Sequence, residues 1–267
     1  MWLLLWLGIQ FCRAYNSEVA QTCVDLCQAS YCVTDSWNCL TCNPSAKLEY
    51  AVNKDDSKAI QGYDSSTHSL FTAFRGSANT HNWIENIQAW RIAPYNDSSV
   101  TVDKGFYKAY QYIKDPVFAN LATMASKYNT RRVLITGHSL GAAMATLMAY
   151  DILISKQYDI QYLVTFGSPR VGNDNFAKIM KSFSINSYRV THYYDIVPHV
   201  PEEMLGYLHI SNEIWYDETN NAYKVCSDSL EEDAACSNSC APVHCTSTSD
   251  HLYYLNVSMG SSDPSYC

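Results

Sequence analysis

Short apolar runs alternate with helical stretches along most of the chain, and that alternation sets the first expectation. Leu48-Glu49-Tyr50-Ala51-Val52 and Ala59-Ile60-Gln61-Gly62-Tyr63 open the series. Ser69-Leu70-Phe71-Thr72-Ala73-Phe74 follows as an extended run that stops at Arg75-Gly76-Ser77. Residues 104 to 113 and 116 to 128 predict two helices. In the second, Val117, Phe118, Leu121 and Met124 recur at helical spacing. Val133-Leu134-Ile135 is a continuous apolar run suited to a buried parallel strand, and Ala142 to Tyr150 is rich in helix formers without Gly or Pro. Tyr162 to Phe166 predicts a strand closed by Gly167-Ser168-Pro169, with a helix from about Asn173 to Phe183. Ser187 to His192 predicts one more strand, ending near Asp195. Strands alternating with helices predict βαβ units and a mainly parallel sheet.

At 267 residues the chain is long enough for one large α/β domain, and no interdomain linker interrupts it. The ends are decorated. Trp2 to Phe11 is apolar but too short to span a bilayer. It is followed by Cys12-Arg13-Ala14 with small residues spaced for cleavage, so residues 1–14 are expected to be a secretory signal peptide. Residues 15–46 read as a Cys-rich extension of loops and short helices. Residues 47–267 read as the main domain, with a second Cys-rich segment at 226–245.

Removal of the signal leaves ten cysteines: Cys23, Cys27, Cys32, Cys39, Cys42, Cys226, Cys236, Cys240, Cys245 and Cys267. An even count in a secreted chain predicts disulfides throughout. Each end holds five, an odd number, so full pairing requires at least one bridge between the two ends. Cys39-Leu40-Thr41-Cys42 has zinc-ligand spacing, but without neighbouring His ligands a disulfide is the better reading, and no metal is expected. Asn96-Asp97-Ser98 and Asn256-Val257-Ser258 are candidate glycosylation sites in the same compartment. The net charge of −8 and the scattered Lys and Arg residues argue against nucleic acid as a partner. A monomer is expected. The 21 tyrosines suit contact with lipid or carbohydrate without specifying either.

The candidate chemistry centres on Gly137-His138-Ser139-Leu140-Gly141, where the apolar strand ends abruptly and a helical pattern starts. A serine on so sharp a turn needs small residues two positions away on each side, and Gly137 and Gly141 supply them. A serine hydroxyl becomes a strong nucleophile only when a histidine takes its proton, and that histidine needs a carboxylate to hold its tautomer. In α/β-hydrolases these follow in the order Ser, Asp or Glu, His. Asp195 lies in a loop after a strand, where open α/β sheets gather catalytic groups. Asp174, at an expected helix N-cap, and Asp217, in a polar turn, are weaker candidates. Among the later histidines, His199 is too close to Asp195 in sequence, His209 reads as a strand residue and His244 is pressed between Cys240 and Cys245. His251, beyond the last strand, is the candidate base.

Phe74-Arg75-Gly76-Ser77, Asn82-Trp83-Ile84, the pentapeptide around Ser139, Thr165-Phe166-Gly167-Ser168-Pro169-Arg170-Val171-Gly172-Asn173 and Asp195-Ile196-Val197-Pro198 together resemble the class 3, fungal-type triacylglycerol lipases over roughly residues 47 to 257. The resemblance implies an α/β-hydrolase fold with a mainly parallel central sheet flanked by helices. It also implies a Ser139-Asp195-His251 triad and an oxyanion hole from the backbone N–H groups of Ser77 and Leu140, with the Ser77 hydroxyl assisting. Losing one such donor typically costs about 3 kcal/mol in barrier. A lid is implied at about residues 79 to 90, and the residues support it independently: Trp83, Ile84, Ile87 and Trp90 form an apolar stripe at helical spacing. Ala142 departs from the family pattern, in which many members carry a second Gly there. The resulting expectation is a secreted, cofactor-independent serine esterase acting on lipid esters at a lipid-water interface, with triacylglycerol as the first substrate. Phospholipase A1, a feruloyl-type esterase and a catalytically inactive binding protein on the same scaffold are the rivals.

Overall fold

A computed structural model of the protein describes residues 14–79, 82–83, 89–210, 212–227, 232–241, 243–260 and 267. Its centre is an eight-stranded sheet in the order β1-β2-β3-β6-β7-β8-β9-β10. The strands are β1 (Ala46–Lys54), β2 (Ser57–Asp64), β3 (Ser69–Phe74), β6 (Arg132–His138), β7 (Asp159–Phe166), β8 (Ser187–His192), β9 (Glu213–Tyr216) and β10 (Tyr223–Val225). The short strands β4 (Arg91–Ile92) and β5 (Val102–Asp103) pair separately, as do β11 (Tyr253–Tyr254) and β12 (Val257–Ser258). From β3 through β9 the pairing is parallel, and antiparallel strands close both edges.

The continuous apolar runs are explained by burial on both faces of the sheet. Leu70, Val133 and Ile135 point to one face, under helices α2 (Lys104–Tyr128) and α3 (Leu140–Ser155). Phe71, Leu134 and Val164 point to the other, under helix α1 (Ser17–Cys32). Each such side chain, removed completely from water, contributes about 2 kcal/mol. Helix α4 (Asp174–Ser182) joins the first layer through Phe176 and Met180. Its N-cap is Asn173, whose side chain accepts from the Phe176 N–H, so Asp174 sits one position inside the expected cap.

Two expectations are corrected here. The two helices foreseen between residues 104 and 128 are one: α2 runs through Pro116. Pro116 lies on its exposed face, while Ile113, Val117 and Leu121 are fully buried on the opposite side. The packing of that face outweighs the ~3 kcal/mol that an interior proline typically costs. The N-terminal segment is also more than a decoration of loops and short helices. Helix α1 has 16 residues, starts at the N-cap Asn16, and from Val19 to Tyr31 buries most of its circumference against the sheet and the C-terminal hairpin.

Four disulfides form: Cys32–Cys267, Cys39–Cys42, Cys226–Cys236 and Cys240–Cys245. The first ties the end of α1 to the last residue, the bridge between the two ends that an odd count in each requires. Full pairing of the ten does not hold, because Cys23 and Cys27 are free thiols buried under α1. They lie one helical turn apart on the face packed against β6, where the Cys27 Sγ is 3.2 Å from the Thr136 hydroxyl. They behave as small core residues, and burial pushes both thiols up, Cys27 to about 12. Asn96 and Asn256 are exposed. No helix among the described residues is long and apolar enough to cross a membrane. The candidate signal segment lies outside the described residues except for Ala14.

Candidate active site

Strand β6 delivers Ser139 into a turn that helix α3 continues at once. Ser139 has φ 59° and ψ −128°, a left-handed conformation costing on the order of 1–3 kcal/mol for a non-glycine residue. Its N–H donates to the Phe166 carbonyl at 3.0 Å, which fixes the turn against the end of β7. A Cβ on Gly137 would overlap the Gly141 carbonyl, and one on Gly141 would overlap the Phe74 carbonyl at the end of β3. The two glycines are therefore needed for close backbone approach.

Asp195 follows β8 by three residues, in a turn closed by its N–H donating to the His192 carbonyl at 2.9 Å. Its Oδ1 accepts from the Val197 N–H at 2.8 Å. Its Oδ2 accepts from His251 Nδ1–H at 2.9 Å and from the Tyr254 hydroxyl. Burial alone pushes this carboxyl up. The His251 imidazole, the Tyr254 hydroxyl and the Val197 N–H reverse that and hold it below the ordinary carboxylate range. Asp195 is thus an anion, and it fixes the proton of His251 on Nδ1, leaving the lone pair on Nε2. His251 Nε2 and Ser139 Oγ are both buried and neither has a hydrogen-bond partner among the described residues. An orphaned base atom and an orphaned hydroxyl in one site suit a proton transfer from the second to the first.

Further residues shape this site that the sequence pattern did not single out. Gly167, with φ +53°, makes room for the imidazole: a Cβ there would fall 2.8 Å from its Nδ1 and 2.9 Å from Asp195 Oδ2. His138 donates from Nε2 to the His251 carbonyl at 2.8 Å and accepts at Nδ1 from the Tyr31 hydroxyl at 2.9 Å. Burial, reinforced by the neighbouring His251, pushes His138 down to about 3, so it stays neutral. Tyr254 lies three residues after His251, in β11, and that proximity is the single local signal for its role. Tyr31, on α1, offers none.

The structure brings Asp195 and His251 into contact and sets both against the turn that carries Ser139. Ser77 lies half-buried just past the end of β3. Leu140 is the first residue of α3, so its N–H has no acceptor within the helix. Of the lid stripe, Trp83 is half-buried with its ring 5.9 Å from that of Phe106, and Trp90 is 68% exposed. Ile84 and Ile87 lie outside the described residues. The weaker candidates are occupied elsewhere. Asp174 pairs with Lys178, Asp217 caps its own turn through Thr219 and the Asn221 N–H, and His209 is bonded to the Pro198 carbonyl.

The fold and the buried Asp-His pair beside an elbow serine define an α/β-hydrolase with the layout of a serine esterase. The family profile "Lipase (class 3)" matches residues 71–205, and the chain belongs to that family. It is 32% identical to a lipase of Rhizomucor miehei over 244 residues, covering 86% of this chain and 66% of that protein. It is 33% identical to the secreted mono- and diacylglycerol lipase A of Penicillium camembertii over 173 residues, 65% of this chain and 56% of that one. The chain thus spans 66% and 56% of the lengths of these two relatives. Among solved structures, the R. miehei triacylglyceride lipase superposes with a TM-score of 0.84 at 30% identity, covering 92% of this chain and 97% of that one. Lipase II of Rhizopus niveus superposes with a TM-score of 0.85 at 27% identity, covering 93% and 98%.

Proposed function

We propose that this protein is a secreted serine esterase that hydrolyses lipid carboxylic esters, with triacylglycerol as its first substrate. The observation that carries the reading is the polarised His251, whose Nδ1 is held by a buried Asp195 carboxylate while neither Nε2 nor the Ser139 hydroxyl has a hydrogen-bond partner among the described residues. Ser139 Oγ attacks the ester carbonyl carbon as its proton passes to His251 Nε2. The tetrahedral intermediate carries its negative charge on the former carbonyl oxygen, which the Ser77 and Leu140 N–H groups receive, with the Ser77 hydroxyl assisting. Collapse breaks the ester C–O bond, and His251 returns the proton to the leaving alcohol. Water, activated by the same histidine, then releases the fatty acid and restores Ser139.

The described part of the 79–90 segment suits a lid that turns an apolar face between the site and a lipid surface, with Trp83 lodged inward and Trp90 outward. Cleavage of residues 1–14, glycosylation at Asn96 and Asn256, a monomeric state and an extracellular location belong to the same reading. The name of the Penicillium relative supports secretion and favours partial glycerides as a second substrate class. The deciding experiment compares fatty-acid release from a triacylglycerol emulsion by the protein and by its Ser139→Ala variant. Release that disappears in the variant supports the reading. A folded protein inactive on triacylglycerol directs the assay to mono- and diacylglycerols, then phospholipids, then soluble feruloyl-type esters. Failure of an organophosphonate to label Ser139 would leave an inactive binding protein.

A further inference from the structure

His192 and Asn220 connect three arms of the site without belonging to the triad. His192 is the last residue of β8, and its carbonyl accepts the Asp195 N–H at 2.9 Å, closing the turn that presents the acid. Its Nδ1 is 2.9 Å from the carbonyl of Asp250, the residue just before His251. Its Nε2 is 2.8 Å from Asn220 Nδ2, in the β9–β10 turn, and farther, at 3.3 Å, from the Glu218 carbonyl. Asn220 Oδ1 accepts the Leu255 N–H at 2.9 Å, on the return arm beyond His251. Because that contact fixes the amide orientation, Asn220 Nδ2 must donate to His192 Nε2. The His192 proton then resides on Nδ1 and is donated to Asp250. His192 is 2% exposed and Asn220 4%, so solvent offers neither a substitute partner.

The acid is held at one end of this chain of bonds and both flanks of the base at the other. The loops concerned are 28 and 58 residues from His192 in sequence, and the backbone pairing of Tyr194 and Ile196 with Ser247 is a second link between the acid and base arms. We infer that the His192–Asn220 pair is a positioning unit that sets the distance and angle between Asp195 and His251, and through them the reach of His251 Nε2 toward Ser139. The inference rests on the triad reading above. Neither residue touches the reacting atoms. Each acts through the loops that carry them, and a displacement of about 1 Å at a base is enough to cost on the order of a hundredfold in rate.

The test uses a soluble short-chain ester, which bypasses any lid effect, together with labelling by an uncharged aryl phosphonate. Asn220→Ala is expected to lower kcat and the labelling rate constant together by at least tenfold, with KM within twofold and close to one label per chain at completion. Asn220→Asp, which keeps the acceptor for the Leu255 N–H, and His192→Asn, which keeps a donor near the Nδ1 position, should each recover part of the rate. Two results overturn the inference. One is Asn220→Ala labelling at the rate of the unmodified protein. The other is a labelled fraction that falls while the rate of the remaining molecules is unchanged, which marks the pair as needed only for folding. Absence of labelling in the unmodified protein is a different failure: it removes the triad reading itself, and the positioning role with it.

Discussion

His138 Nε2–H donates to the backbone carbonyl of His251 at 2.8 Å, so the residue beside Ser139 holds the main chain of the proposed base. The bond is sustained from the far side, because the Tyr31 hydroxyl donates to His138 Nδ1 and thereby keeps the imidazole proton on Nε2. Tyr31→Phe removes that donor and leaves a ring nitrogen buried without a partner. The expected loss of stability is about 1–3 kcal/mol, read from the urea midpoint at unchanged m-value. A midpoint equal to that of the unmodified protein would show that the Tyr31 hydroxyl does not anchor the imidazole.

Acid should destabilise the fold earlier than the carboxylates alone predict. Burial pushes His138 down to about 3 and His199 to about 4, the latter helped by the Arg170 guanidinium. Burial, then Arg189, pushes His209 well below its ordinary value. Unfolding frees all three to take up protons at an ordinary pKa of about 6.5. Their contribution is therefore complete above that pH and is lost as pH falls. Each costs on the order of 1 kcal/mol per pH unit until its folded-state value is reached. Asp195 and Glu232, held below the carboxylate range against the upward push of burial, add a loss in the same direction at lower pH. Denaturant midpoints should fall steeply between pH 7 and pH 5. A flat profile over that interval would mean these imidazoles take up protons in the fold at the same pH as in the unfolded chain.

What was legible in the sequence was local. The elbow around Ser139, the strands on either side of it and the order of Ser139, Asp195 and His251 are each written in a few adjacent residues or in their succession. The layer formed by α1 was not, because its polar face stops at Asp25 and every position from Leu26 to Tyr31 is buried, so the alternation that marks an amphipathic helix spans only its first half. Tyr254, His192 and Asn220 escaped for a different reason. Their partners are 59, 58 and 35 residues away, at distances fixed only by the finished sheet. Counting cysteines likewise placed a bridge between the two ends but not the reduced state of Cys23 and Cys27, which depends on their sharing one buried helix face.

Gly167→Ala should separate activity from stability. At φ +53° the added methyl strains the backbone by about 1 kcal/mol, which a domain of this size tolerates. The same methyl reaches within 2.9 Å of both the His251 ring and Asp195 Oδ2, and one of the two must move. Hydrolysis of a soluble ester should fall at least a hundredfold in kcat while the melting temperature drops by only a few degrees. Comparable losses in the two measurements would assign Gly167 a role in folding rather than in seating the base.

Removing the two N-terminal disulfides one at a time should reveal how much of the stability is topological. Cys32–Cys267 closes a loop of 235 residues, whereas Cys39–Cys42 closes one of 3. If a disulfide acts mainly by restricting the unfolded chain, the long loop contributes about 5 kcal/mol and the short one about 2 kcal/mol. The native-state contacts favour the same ranking. Cys32 ends α1, which packs on strands β3, β6 and β7, and the Cys267 carbonyl also receives the Leu40 N–H. The pair Cys32→Ser and Cys267→Ser should therefore lower the unfolding free energy by about 3 kcal/mol more than Cys39→Ser with Cys42→Ser. Both variants should keep the hydrolytic rate of their folded fraction, since neither bridge joins the elements that carry Ser139, Asp195 and His251. Equal losses from the two would mean that neither loop length nor the contacts around Cys32 and Cys267 set the contribution of a bridge.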